Sequence, residues 1–169
     1  MKFSRLTSFL FGLVVVAFLG LQGCADPCAD ITCENGGTCV EGTCNCADGF
    51  EGTTCETEIR GKFIASYSAT ETCANFPGQT FNSTLVISAS NAGPLKVVIT
   101  NIYSNGWSIV ADVVDNTLSF TSVDIAGVQA GATVKATGTG TLAGDVLTMN
   151  YTVTEGAVSD NCQLTGSKQ

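Results

Sequence analysis

From residue 60 onward apolar and polar residues alternate with a period of two. The clearest stretch sets Leu147, Met149, Tyr151 and Val153 on one face against Thr148, Asn150, Thr152 and Thr154 on the other. Successive side chains of a strand point to opposite faces, so this pattern predicts strands with one face buried and one wet, as in an antiparallel sheet. Eight such runs are found: Lys62 to Thr72, Thr80 to Ser90, Leu95 to Tyr103, Gly106 to Val114, Thr117 to Asp124, Ala132 to Leu142, Asp145 to Thr154 and Asp160 to Gly166. Asn105-Gly106, Asp115-Asn116 and Gly144-Asp145 are tight-turn sequences, and Asn91-Ala92-Gly93-Pro94 is a slightly longer loop. Connections this short leave no room for crossover helices, which need about a dozen residues. Residues 60–169 are therefore expected to form an all-β antiparallel barrel or sandwich, and sequential adjacency favours an eight-stranded up-and-down barrel.

The expected inward face comprises Phe63, Tyr67, Leu85, Ile87, Trp107, Ile109, Leu118, Phe120, Leu147, Met149 and Tyr151, with Gly138 and Gly140 as its small members. An eight-stranded barrel is just wide enough to be filled by side chains or to hold one small ligand. The two glycines leave space either for such a ligand or for a bulky neighbour and a sharp coil of the sheet. If the interior is hollow, Trp107, Tyr151, Met149 and Phe63 are the candidates for lining it.

Composition changes the picture at the other end of the chain. Of nine cysteines in the 169 residues, six fall in a short segment with spacing C-x4-C-x5-C-x4-C-x-C-x8-C: Cys28, Cys33, Cys39, Cys44, Cys46 and Cys55. Gly36-Gly37-Thr38 precedes the third and Gly49-Phe50-x-Gly52 the last. So short a segment cannot bury enough apolar area to offset its chain entropy, so it needs cross-links or metal. A zinc site would need paired C-x2-C knuckles or histidine, and the chain has no histidine. The segment, residues 28–56, resembles an EGF-like domain. Spacing alone permits fifteen pairings of six cysteines; the resemblance implies Cys28 with Cys39, Cys33 with Cys44 and Cys46 with Cys55. The acidic entry and post-Cys39 motif of calcium-binding EGF-like domains are missing from Ala25-Asp26-Pro27-Cys28 and Val40-Glu41-Gly42-Thr43. The last two cysteines, Cys73 and Cys162, end the first run and begin the eighth; in an even-numbered antiparallel closure those ends are adjacent, so a disulfide there would seal the barrel.

At the amino terminus Lys2 and Arg5 precede an apolar run from Phe9 to Leu21, too short to span a bilayer comfortably but suited to the core of an export signal. Leu21-Gln22-Gly23-Cys24 follows and resembles the lipobox of bacterial lipoproteins. The resemblance implies a signal peptide at residues 1–23, a lipidated Cys24 opening a short tether at 24–27, and anchoring at an outer membrane or cell surface through acyl chains. Two or three long chains hold a protein stably where one holds marginally. Gly23-Cys24-Ala25 also fits an ordinary secretory signal cut after Ala25, which would leave a soluble secreted chain. Asn82-Ser83-Thr84 and Asn150-Tyr151-Thr152 are glycosylation sequons of consequence only in a eukaryotic source.

Charge and missing residue types narrow the function. Fifteen acids against seven bases give -8, and loss of Lys2 and Arg5 with the signal would leave -10; this opposes nucleic acid as a partner. Without histidine there is no Ser-His-Asp or Cys-His catalysis. Between Asp26 and Glu58 stand eight acids and no base, a distribution read as solubility. Asp112, Asp115, Asp124 and Asp145 lie near turns or strand ends, and nothing in their spacing brings two together for acid-base work. No enzyme, cofactor or metal is expected. With Gly61-Lys62-Phe63 opening its first run and short hairpins after, the β-domain is similar to small lipocalin-like domains of bacterial lipoproteins, though it lacks the Gly-x-Trp opening of true lipocalins, and this implies a carrier of a small apolar ligand as the second reading. The first is a noncatalytic, membrane-anchored lipoprotein whose EGF-like stalk presents the β-domain to an extracellular protein or glycan.

Overall fold

The computed structural model describes residues 26–125 and 134–169. The export signal, Cys24 and the first two residues of the sixth run lie outside the described residues. Among those described, no helix is long and apolar enough to cross a membrane.

The first unit is a disulfide-rich module. Strands β1 (Thr38–Val40) and β2 (Thr43–Asn45) form a hairpin, and β3 (Phe50–Glu51) pairs with β4 (Thr57–Glu58). Between residues 26 and 58 only Gly49 and Cys55 are buried, so there is almost no apolar core. Cross-links replace it: Cys28–Cys39, Cys33–Cys44 and Cys46–Cys55 are bonded. Each closes a short loop and restricts the unfolded chain by a few kcal/mol, typically ~2–4.

One turn of 3-10 helix, Ile59–Phe63, leads into the second unit. Its eight strands are β5 (Ala65–Cys73), β6 (Phe81–Ala89), β7 (Lys96–Ile102), β8 (Trp107–Val114), β9 (Thr117–Asp124), β10 (Val134–Ala143), β11 (Val146–Glu155) and β12 (Val158–Lys168). All pairings are antiparallel and sequential, and β12 returns to β5, closing the barrel. The eight strands match the eight runs within a few residues. The first run starts later than its periodicity suggests, because Lys62 and Phe63 belong to the 3-10 turn. The last is longer at both ends, because Val158 and Lys168 pair with Glu155 and Tyr67.

Side-chain alternation builds the core. Tyr67, Leu85, Ile87, Ile99, Leu118, Phe120, Leu147, Met149 and Leu164 are buried together inside the barrel. A Cβ at Gly140 would lie 2.9 Å from Met149 Cγ, so that glycine makes room for a neighbouring side chain. At Gly138 a Cβ would lie 2.4 Å from Tyr151 Cβ and 2.6 Å from the Asn150 carbonyl oxygen, where the β9–β10 register shifts. The absent side chain there lets two strands approach closely as the sheet coils.

Antiparallel order gives the barrel two ends. The near end carries the 3-10 turn and the β6–β7, β8–β9 and β10–β11 connections; the far end carries the β5–β6, β7–β8 and β11–β12 connections. The module sits at the near end. Ile59 N–H donates to the Gly49 carbonyl at 2.9 Å, and Lys62 pairs with Glu51 at 3.4 Å. Arg60 ties the units together. Its Nη1 donates to the carbonyls of Ser90 (2.9 Å), Gly93 (3.0 Å) and Lys96 (3.3 Å) in the β6–β7 connection, and Nη2 meets Glu58 Oε1 of the module at 3.1 Å.

Cys73 and Cys162 lie directly opposite one another on β5 and β12, 4.1 Å apart at Cα, and are bonded. Replacing both by serine should lower stability by about 4 kcal/mol for a loop of 89 residues, read as a fall in the urea midpoint of the barrel transition. A midpoint unchanged from wild type would show that strand pairing alone closes the barrel. Arg60→Met keeps the apolar stem but leaves three carbonyls without their charged donor; it should cost about 2 kcal/mol in thermal unfolding and expose the module–barrel junction to limited proteolysis.

Candidate functional site

The far end gathers groups that an all-β core ordinarily excludes. Glu71 and Asp160 are 1% and 3% exposed. Both follow from strand parity. On β5 the inward positions are Tyr67, Ala69, Glu71 and Cys73; on β12 they are Asp160, Cys162, Leu164 and Gly166. The seam between these strands therefore carries two carboxylates beside the disulfide.

The β7–β8 connection completes the arrangement. A bulge between Thr100 and Ile102 leaves Asn101 with φ 71, and Tyr103 and Ser104 follow with φ 57 and 50. Asn101 holds the bend by accepting from Gly106 N–H at 2.8 Å and donating to the Thr84 carbonyl at 2.9 Å. Left-handed backbone at side-chain-bearing residues costs about 1–2 kcal/mol each. Here the turn aims both residues inward. Ser104 Oγ donates to Glu71 Oε2 at 3.1 Å, and Tyr103 Oη donates to Asp160 Oδ2 at 2.8 Å. Tyr151 Oη donates to Glu71 Oε1 and accepts from Tyr103 N–H at 3.2 Å. Asn75 N–H donates to Asp160 Oδ1 at 2.8 Å.

Burial dominates the acid-base character of this network. It pushes the Glu71 carboxyl above the usual range, with the Asp160 charge adding to the rise, against the hydrogen bonds from Tyr151 and Ser104 that lower it. Burial also raises the Tyr103 phenol to about 12, helped by Asp160, and raises Tyr151 further, helped by Glu71. Both tyrosines thus remain protonated hydrogen-bond donors.

A cavity of about 330 Å³ opens beside this network. Glu71, Ser104, Gln79 and Asn105 supply its polar groups; Phe76, Phe81 and Tyr103 supply most of its apolar wall. Phe76 and Phe81 meet edge to face at 5.6 Å, and Tyr103 stacks on Trp107 at 5.8 Å and 14°. A smaller recess of about 70 Å³ lies on the other side of Tyr103, between Trp107 and Asp160. A larger concavity, about 650 Å³, is an open groove outside the barrel among Thr72, Thr137, Thr139, Asn150, Thr152 and Gln163, without a charged side chain. The far-end cavity is the candidate site, because buried carboxyl groups, aromatic walls and strained backbone coincide there.

The sequence candidates fare unevenly. Phe63, Met149 and Tyr151 are buried, as an inward face requires, but Trp107 is half-buried at the rim. Phe63 belongs to the near end, its carbonyl accepting from Tyr67 Oη at 2.9 Å, whereas Trp107 opens β8 at the far end, so the four lining candidates do not converge. Asp112 is exposed and paired with Lys96, and Asp115 sits in a turn with φ 51. Asp124 closes β9 and Asp145 lies in the β10–β11 turn. The carboxylates that do converge, around Tyr103, are Glu71 and Asp160, which were absent from the candidates. Glu71 shares the parity of Tyr67, which could have flagged it, whereas the phase of the last strand, which turns Asp160 inward, comes from the structure.

Cys73, Asp160 and Cys162 are close enough to suggest metal ligands, but the two sulfurs are bonded to each other, so this set does not fit a metal. Four disulfides fit an oxidising or extracytoplasmic setting. No protein-family model matches the chain, and no curated protein matches it.

Because burial raises the Glu71 carboxyl in the folded state, the folded chain holds this proton to higher pH than the unfolded chain does. The stabilisation is complete below the ordinary glutamate range and is lost as pH rises toward the raised value. Glu71→Gln should therefore gain stability relative to wild type from about pH 4 upward and flatten that part of the profile, as thermal melts across pH would register. Parallel profiles for the two proteins would contradict the assignment.

Proposed function

We propose that the protein is a noncatalytic, membrane-anchored extracytoplasmic lipoprotein: acyl chains on Cys24 hold it, an EGF-like module serves as stalk, and the barrel binds an extracellular glycan or protein. The observation that carries this reading is polarity of the architecture. The module occupies the near end of the barrel, and the cavity with its aromatic rim lies at the far end. A tether entering through the module leaves that rim facing away from the anchor.

The chemistry of the site supports binding over bond-making. The oxygens of Glu71 and Asp160 are occupied by the hydroxyls of Tyr151, Ser104 and Tyr103 and by the Asn75 N–H, which holds them in place instead of freeing them for proton transfer. Stacked Tyr103 and Trp107 offer the kind of flat aromatic surface on which sugars and side chains dock. An interior packed with Tyr67, Phe120, Leu147 and Met149 disfavours the carrier reading.

Fractionation tests the anchor: the wild-type chain should sediment with membranes and Cys24→Ala should appear in the soluble extracytoplasmic fraction, whereas membrane retention of the variant would contradict lipidation. Binding is tested with the oxidised full chain on glycan and extracellular-protein arrays. A specific signal weakened about tenfold by Tyr103→Ala, and unchanged by Thr139→Ala in the outer groove, is expected. Silence on both arrays would remove the binding reading.

A further inference from the structure

The placement of charge along the barrel says more about what the far-end cavity accepts. Arg60, Lys62, Lys96 and Lys168 make their contacts at the near end: with Glu58 and the β6–β7 connection, with Glu51, with Asp112, and with the Lys62 carbonyl. The ion pairs Arg60–Glu58, Lys62–Glu51 and Lys96–Asp112 lie at the near end, and Lys135 is exposed on the outer face of β10, whereas Glu71 and Asp160 face inward and accept from Tyr151, Ser104, Tyr103 and the Asn75 N–H. The far end therefore holds deeply buried carboxyl groups whose partners are neutral hydroxyls and backbone N–H groups.

Burial of a carboxylate without a counter-charge is costly, and a cation placed against it in a low-dielectric site recovers part of that cost. Glu71 lies in the wall of the cavity, next to Phe76, Phe81 and Tyr103. Aromatic faces attract organic cations through their quadrupoles and bury their apolar parts. A volume of about 330 Å³ suits a molecule with one ring and a short chain. An anionic ligand would meet Glu71 in the wall, and a wholly apolar ligand would leave Glu71 without a counter-charge.

We propose that the far-end cavity binds a small arylalkylammonium cation, its charged nitrogen at Glu71 and its ring against Phe76 and Phe81. The assignment goes beyond the glycan or protein binding proposed above by adding a small-molecule ligand at the same end of the barrel, and it is tested independently of the arrays.

The oxidised full chain is titrated with phenethylammonium chloride and with its neutral counterpart, phenethyl alcohol, by calorimetry and by fluorescence of Trp107, the lone tryptophan, which stacks on Tyr103 of the cavity wall. The ammonium ion should bind at least tenfold more tightly than the alcohol. Glu71→Gln should bring the ammonium affinity down to that of the alcohol and leave the alcohol unchanged. Phe76→Ala, at a position already 39% exposed, should weaken both. If Glu71→Gln does not fold, the pH dependence of the wild-type protein replaces it: ammonium binding should strengthen as Glu71, which faces Tyr151, Ser104, Tyr103 and Asp160, loses its proton, while alcohol binding stays flat. Equal affinities for the two probes, a preference retained in Glu71→Gln, or no response to either probe would overturn the proposal. An array signal lost in Tyr103→Ala would still stand in any of those cases, and ammonium binding would stand without an array signal.

Discussion

Pairing between β5 and β12 is the contact through which the barrel becomes a barrel. An eight-stranded sheet with free first and last strands would present two rows of unsatisfied backbone groups, and closure removes both edges at once. The register Cys162 opposite Cys73 sets the position of every residue along that seam. Each inward residue of β5 then meets an inward region of β12, and the disulfide, Glu71 and Asp160 come together at one end. The same pairing thus closes the core and creates the polar pocket beside it.

The cost of that pocket is met locally. Glu71 and Asp160 are satisfied by Tyr151, Ser104, Tyr103 and Asn75, drawn from three separate parts of the chain. Two of these donors stand on a turn whose backbone is held in the left-handed region by the Asn101 hydrogen bonds. Hydrophobic packing elsewhere in the barrel supplies the stability against which such strain and desolvation are carried. At the opposite end, Arg60 and the 3-10 turn lock the β6–β7 connection to a module that has cross-links in place of a core. The two ends therefore differ in kind: one is built for attachment, the other carries unusual groups near a cavity.

Period-two alternation in β11 and its fellow strands, together with tight turns such as Gly144-Asp145, was enough to read an eight-stranded antiparallel meander, because strand pleating maps sequence parity directly onto inside and outside. The cysteine spacing likewise announced a small cross-linked unit, since so short a segment has no other route to stability. Glu71 and Asp160 share the inward parity of Tyr67 and Cys162 but were not among the sequence candidates. Parity within one strand, however, does not say which residues of distant strands meet. That Glu71 shares Tyr151 with a turn around Tyr103, that Trp107 lies at the rim and Phe63 at the other end, and that Gly138 admits a close backbone approach were decided by closure, register and the β7–β8 bulge. Those are properties of strand pairing across the whole sheet, and local pattern carries no information about them until the barrel is shut.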